Sequence, residues 1–194
     1  MKKSLIRKQI SQNSVFTTIL KIMRYLKCTK KVLDEIGIKS PAAIESRDNA
    51  TEPLGDWCVN LLRIQRKKCL LIVNEKTLFS ILVPELKKAQ IQNIAVVFRE
   101  ALFAALIDEE FTAAQAEKIL SEYDEIGISK TTDRSVLGSM NDYTFLYKDF
   151  IEGDGGFQFC KISALIMQMN RTPMGARKYA YAIDLIKEAC KTIA

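Results

Sequence analysis

The fold is decided by residues 57–84. They read Trp57-Cys58-Val59-Asn60-Leu61-Leu62-Arg63-Ile64, then Gln65-Arg66-Lys67, then Lys68-Cys69-Leu70-Leu71-Ile72-Val73, then Asn74-Glu75-Lys76, then Thr77-Leu78-Phe79-Ser80-Ile81-Leu82-Val83, and Pro84. Three β-rich runs, Trp57–Ile64, Lys68–Val73 and Thr77–Val83, are separated by two polar triplets. Turns this short force neighbouring runs to pair antiparallel, so the stretch predicts a three-stranded meander. Leu70-Leu71-Ile72-Val73 is apolar without interruption. A strand of that kind is buried on both faces and lies centrally. Pro84 has no N–H to donate and closes the third run.

On the N-terminal side, Arg24-Tyr25-Leu26-Lys27-Cys28 predicts a short strand. Thr29 then stands at the cap of a helix with Val32, Leu33 and Ile36 on its apolar face, and Gly37 ends it. Residues 38–55 hold Ser40-Pro41, Asp48-Asn49 and Pro53-Leu54-Gly55, which marks a long loop. On the C-terminal side the pattern turns helical. Ile94, Val97, Phe98, Ala101, Leu102, Ala105 and Leu106 recur at helical spacing. Thr112 with Gln115 forms a capping box for the next helix. Residues 127–132 predict a strand that returns to the sheet. Val136, Leu137, Met140, Tyr143, Tyr147 and Phe150 mark a further helix, stopped by Gly153-Asp154-Gly155-Gly156. Helices near 160–169 and 182–193 finish the chain. The expectation is an α+β fold. An antiparallel meander of three to five strands is covered on one face by helices, in a single domain over residues 23–194.

Composition narrows the chemistry. Of the 194 residues 48% are hydrophobic and 27% charged, a balance that argues against general disorder. No run of eighteen apolar residues occurs, so no membrane-spanning helix is expected. Histidine is absent, which excludes Ser–His and Cys–His nucleophile pairs and His-ligated metals within this chain. Cys28, Cys58, Cys69, Cys160 and Cys190 have no paired spacing, so neither a zinc ribbon nor a redox pair is supported. They read as reduced core thiols without a disulfide, and the expected location is cytoplasmic. No phosphate-binding glycine loop is present. Glu152-Gly153-Asp154-Gly155-Gly156 lacks the alternating acids of a calcium loop, and neither metal nor cofactor is expected.

The net charge of +6 is unevenly placed. Lys2, Lys3, Arg7, Lys8, Lys21, Arg24, Lys27, Lys30 and Lys31 fall in the first 31 residues with no acid among them, and the rest has a slight acidic excess. Met1–Ile22 is a basic extension. Gln9, Ser11, Gln12, Asn13 and Ser14 interrupt any secretory-type apolar core. Val15, Phe16, Ile19, Leu20 and Met23 keep helical spacing, consistent with a short docked helix, a flexible extension, or a segment ahead of a natural start at Met23. The functional alternative is a basic arm that contacts nucleic acid through Lys2, Lys3, Arg7, Lys8 and Lys21.

The most distinctive polar stretch runs from Lys130 to Asp142. A predicted strand passes into a predicted helix across Asp133-Arg134-Ser135. The first helical turn offers unpaired N–H groups and partial positive charge. With the Arg134 guanidinium and the Thr132 and Ser135 hydroxyls, the junction suits a phosphate or carboxylate. Asn141 and Asp142 follow two turns later on the same side. The structural alternative has Asp133 or Ser135 capping the helix and Arg134 pairing with an acid. Asn60 is an amide inside an apolar strand, facing a ligand or tying the strand to a loop. Trp57 anchors the core or lines a pocket.

Several stretches together carry a family likeness. They are Leu26-x-Cys28-Thr29-Lys30-Lys31-Val32-Leu33, Leu54-Gly55-Asp56-Trp57-x-x-Asn60-Leu61, Arg66-Lys67-Lys68-Cys69-Leu70-Leu71 with Thr77-Leu78-Phe79-Ser80, and Asp133-Arg134-Ser135-Val136-Leu137-Gly138-Ser139-Met140-Asn141-Asp142. Residues 24–190 resemble a domain-of-unknown-function family of small bacterial and archaeal proteins. The resemblance implies a domain that starts close to Met23, and no activity, cofactor or catalytic residue comes with it.

The functional expectation is a non-catalytic cytoplasmic binding or regulatory module that recognises an anionic ligand near Arg134. The alternative is a histidine-independent enzyme acting on a phosphate-bearing or nucleic-acid substrate.

Overall fold

The computed structural model describes residues 23–41 and 53–193. The basic extension with Lys2, Lys3, Arg7, Lys8 and Lys21, and Asp48-Asn49 of the long loop, lie outside the described residues.

The three runs of the opening stretch form β2 (Trp57–Ile64), β3 (Lys67–Asn74) and β4 (Ser80–Val83). They pair antiparallel, Ile64 opposite Lys67 and Val73 opposite Ser80. The first hairpin turns on Gln65 and Arg66, with φ of 47° and 66°. Two left-handed residues give the turn a twist that matches the flanking strands. The third run starts later than the periodicity predicts. Asn74 takes up Thr77 instead, its Oδ1 accepting from the Thr77 backbone N–H at 2.9 Å and the Thr77 hydroxyl at 3.0 Å. Leu78 sits at φ 59°, which no strand accommodates.

Two more strands, β1 (Arg24–Cys28) and β5 (Ile126–Lys130), complete a five-stranded sheet of order β4-β3-β2-β1-β5. Both pairings of β1 are parallel, with Cys28 opposite Val59 on β2 and opposite Lys130 on β5. The antiparallel meander is therefore only one half of a mixed α/β sheet, which corrects the purely antiparallel expectation. The physical reason lies in the connections. Short turns specify antiparallel neighbours, but β1 reaches β2 through a helical crossover, which returns a strand parallel. That crossover contains α1 (Lys30–Ile36), ended by Gly37 in the left-handed conformation at φ 79°.

The remaining helices are α2 (Lys88–Gln92), α3 (Ile94–Asp108), α4 (Ala113–Ser121), α5 (Arg134–Gly153), α6 (Ile162–Asn170) and α7 (Ala182–Cys190). A single 3-10 turn, Gly175–Arg177, separates the last two. The predicted capping box of α4 forms, Thr112 Oγ1 accepting from Gln115 N at 3.2 Å.

Helices cover both faces of the sheet, which corrects the one-face expectation. Side chains alternate along a strand, so Trp57 and Cys58 point to opposite faces. Trp57 packs edge-on against Phe98 of α3, ring centroids 5.3 Å apart. Lys68, opposite Arg63 and hence on the Trp57 face, pairs with Glu35 of α1 at 2.5 Å. Ser80 shares the Cys58 face through Val73, and its hydroxyl meets the Tyr147 hydroxyl of α5 at 3.0 Å. β3 lies second from the β4 edge rather than at the centre, which β2 holds, yet it is buried from Cys69 to Asn74 without alternation, as the apolar run requires when both faces are covered.

Candidate functional site

The sheet order reverses at β1, which has β2 on one side and β5 on the other. Beyond the carboxyl end of β1, α1 leaves toward the Trp57 face. Beyond the carboxyl end of β5, α5 leaves toward the Cys58 face. Two elements that diverge to opposite faces leave a crevice between them, and open α/β sheets hold ligands at that point. Here the crevice is enlarged by unequal strand lengths. The pairing of β1 stops at Val59, while β2 continues through Asn60–Ile64. A groove of about 580 Å³ lies along this overhang, lined by Lys31 and Asp34 of α1, Leu61 and Arg63 of β2, and Thr144 and Lys148 of α5. Its size falls in the range of ligand pockets. Three cations against one acid make its lining positive. Among the described residues Lys148 has only a loose partner, Glu152 one turn on at 3.9 Å.

A polar network lies on the α5 side of the sheet, apart from the residues that line the groove. Asp56 is buried, and its Oδ1 accepts from the Tyr25 backbone N–H at 2.9 Å. The Lys27 ammonium bridges Asp56 at 3.1 Å and Glu75 at 2.6 Å. The Cys58 thiol donates to Glu75 Oε1 at 3.3 Å and lies 3.3 Å from the Thr131 hydroxyl. Burial acts to lower the pKa of Lys27. The hydrogen bond and charge of Glu75, followed by those of Asp56, outweigh it and raise the pKa above the usual lysine value. Burial, reinforced by Glu75, pushes the Cys58 thiol far above the ordinary cysteine range. The ammonium is therefore held charged and the thiol held neutral. Neither is poised as a base or a nucleophile.

The residues singled out from the sequence fall into three places. Asp133, Arg134, Ser135, Asn141 and Asp142 lie at the start of α5 or along it, preceded by Thr132, and all six are exposed. Asp133 caps α5, its Oδ1 accepting from Ser135 N at 2.8 Å and Val136 N at 3.1 Å. The positive end of the helix thus already faces a carboxylate. Arg134 forms no ion pair among the described residues, with Asp142 or with any other acid. Residues seven apart return to nearly the same side of a helix. Arg134, Asn141 and Lys148 therefore form one stripe on α5 that leads into the groove, whereas Ser135 and Asp142 lie on the neighbouring stripe. Asn60 stands at the base of the overhang, where its Oδ1 accepts from the Thr29 hydroxyl at 3.0 Å. The Thr29 hydroxyl is turned to Asn60 and does not cap α1. Trp57 is fully buried and donates through Nε1 to the Tyr123 hydroxyl at 2.9 Å, away from the groove.

Sequence reasoning passed over Lys27, Asp56, Cys58, Glu75, Ser129 and Thr131. A signal for Lys27, Ser129 and Thr131 is present. Tyr25, Lys27 and Thr29 alternate with Leu26 and Cys28, and Gly127, Ser129 and Thr131 alternate with Ile126 and Ile128. Polar residues at every second position of two strands announce one polar sheet face. The groove residues Lys31, Arg63, Thr144 and Lys148 give no such signal. They come from three elements, and only the fold brings them together.

The sequence model of a domain of unknown function, DUF6933, matches residues 25–185, most of the chain. No curated protein and no solved structure matches it. The match begins within β1, ends within α7, and so takes in all of the sheet but Arg24, and the groove beside it. The chain belongs to the DUF6933 family.

Proposed function

We propose that the protein is a binding or regulatory module that recognises an anionic ligand in the groove beyond the carboxyl end of β1. The observation that carries this reading is the lining, with Lys31, Arg63 and Lys148 against Asp34 alone. Arg134 and Asn141 extend the basic stripe of α5 toward the mouth. Because Asp133 occupies the first amides of α5, recognition falls to side chains rather than to the helix terminus. The enzyme alternative asks for a group ready to exchange a proton or attack. The groove lining itself holds no thiol, and the Cys58 thiol and Lys27 ammonium elsewhere on the sheet are both held in their resting states, which favours binding over turnover. Buried, unpaired cysteines and the absence of a helix long enough to cross a membrane among the described residues agree with a cytoplasmic setting.

A melting screen of the full chain tests this reading against inorganic phosphate, nucleotides, a short oligonucleotide and polyglutamate. At least one of them is expected to raise the melting midpoint, by mass action on the folded state. The same anion should have no effect on the Lys31→Glu/Lys148→Glu variant, whose own midpoint should stay close to wild type because both side chains are exposed. If no anion raises the wild-type midpoint, the reading fails. The basic extension is a separate nucleic-acid proposal, tested by gel shifts at several salt concentrations with and without residues 1–22.

A further inference from the structure

The overhang of β2 presents backbone as well as charge. In a parallel ladder, the residue whose carbonyl accepts from the neighbouring strand also sends its N–H toward that strand. Thr29 N donates to Val59 O at 2.9 Å, so Val59 faces β1. By alternation Leu61 and Arg63 send their N–H and C=O groups the same way, into the groove, while Asn60, Leu62 and Ile64 turn theirs to β3. Among the described residues no backbone or side-chain group pairs with those of Leu61 and Arg63. The corresponding outward groups of Ser80, at the opposite edge of the sheet, are both taken by Asn170. An open strand edge invites another strand.

We propose that the groove takes an acidic, extended peptide segment of a partner protein, which pairs with Leu61 and Arg63 as an added β-strand. The inference rests on the anionic-ligand reading above and names the ligand's chemical class. Three features select this occupant. The outward amides and carbonyls of alternate β2 residues repeat at about 6.8 Å, the period of a peptide backbone, and neither phosphate nor a nucleic-acid backbone supplies the regularly spaced N–H donors that the outward carbonyls need. The two sides of the groove differ. Lys31 and Arg63 lie toward the Trp57 face, and Leu62 and Ile64 lie toward the Cys58 face, where the exposed Lys148 of α5 adds a further cation. A strand sends alternate side chains to these two sides, so acids facing Lys31 and Arg63 alternate with apolar residues facing Leu62 and Ile64. The position along the sheet also fits, since the added strand continues the line of β1 beyond the point where β1 ends.

The test uses the full chain and a fluorescein-labelled octapeptide in which glutamate alternates with valine, read by anisotropy. Binding is expected, at least tenfold weaker for Lys31→Glu/Lys148→Glu and at least tenfold weaker for the same peptide N-methylated at every second residue. A scrambled peptide with its four glutamates contiguous should also bind less well. Equal binding of the N-methylated peptide overturns strand addition. If phosphate or an oligonucleotide binds in a Lys31- and Lys148-dependent way while the peptide does not, the anionic-ligand reading stands and this inference fails. If no anion and no peptide binds, both fail.

Discussion

Asn170 and Ser80 hydrogen-bond to each other as two neighbouring strand residues would. Ser80 N donates to Asn170 Oδ1 at 2.7 Å, and Asn170 Nδ2 donates back to Ser80 O at 3.0 Å. A side-chain amide at the end of α6 thereby closes the exposed start of edge strand β4, and Asn170 itself is fully buried. Asn170→Ala leaves a buried N–H and a buried C=O without partners, each costing about 1–3 kcal/mol. Chemical denaturation of the variant should show a loss of about 2–6 kcal/mol, since the lost amide contacts add to one another. A loss below about 1 kcal/mol would mean that water or relaxation replaces the amide.

Lys27 neutralises two carboxylates, one of them fully buried. Lys27→Met should cost about 3–5 kcal/mol, the penalty for breaking a buried pair and leaving charge uncompensated. The pH dependence has a definite sign. The folded-state pKa of Lys27 lies above 10.5, so its contribution is complete below pH 10.5 and is lost as pH rises through the folded value. The stability gap between wild type and Lys27→Met should therefore be constant at neutral pH and shrink in strong alkali. Denaturant melts of both proteins across that range decide the matter. A gap that widens with pH would be wrong in sign for this account.

Asp133→Ala removes the α5 cap, and the helix should lose about 0.5–2 kcal/mol, read as a lower melting midpoint. The same change frees the Ser135 and Val136 amides. Phosphate should then protect the variant more than it protects wild type, because the first turn regains its open anion site. An unchanged midpoint would show that Ser135 or solvent takes over the cap.

The Ser129 hydroxyl is buried and has no hydrogen-bond partner among the described residues. An unsatisfied hydroxyl in that position costs about 1–3 kcal/mol, so Ser129→Ala should be neutral or stabilising in a urea melt. Destabilisation beyond about 1 kcal/mol would indicate a partner for the hydroxyl.

All five cysteines are buried and free. Burial pushes the thiols of Cys28 and Cys190 up to about 12 and drives Cys58 higher still. Thiolate, the reactive form, is therefore scarce at neutral pH. The native protein should react with an aromatic disulfide reagent far more slowly than the same protein in guanidinium, where all five thiols titrate. Rapid native labelling of Cys58 would contradict the closed network of Glu75 and Thr131 around it.

Much of the architecture is already legible in the chain because its causes are local. The hairpins of β2, β3 and β4 follow from turns of two to five residues, α1 ends at Gly37 because its backbone must turn left-handed, and the Thr112–Gln115 box starts α4 within four residues. The burial of β3 on both faces is likewise written in Leu70–Val73, and a cap at Asp133 or Ser135 in the step from strand to helix. What no local rule reaches is how distant strands meet. The parallel pairing of β1 with β2 and β5 joins residues about thirty and a hundred positions apart, and periodicity carries no information about partner or direction over such distances. The groove depends on that pairing twice over. It exists because β1 stops at Cys28, opposite Val59, while β2 continues, and because α1 and α5 leave the sheet on opposite faces. Lys31, Arg63 and Lys148 are scattered charges in the sequence. They become one positive surface only after the sheet order has set three elements side by side.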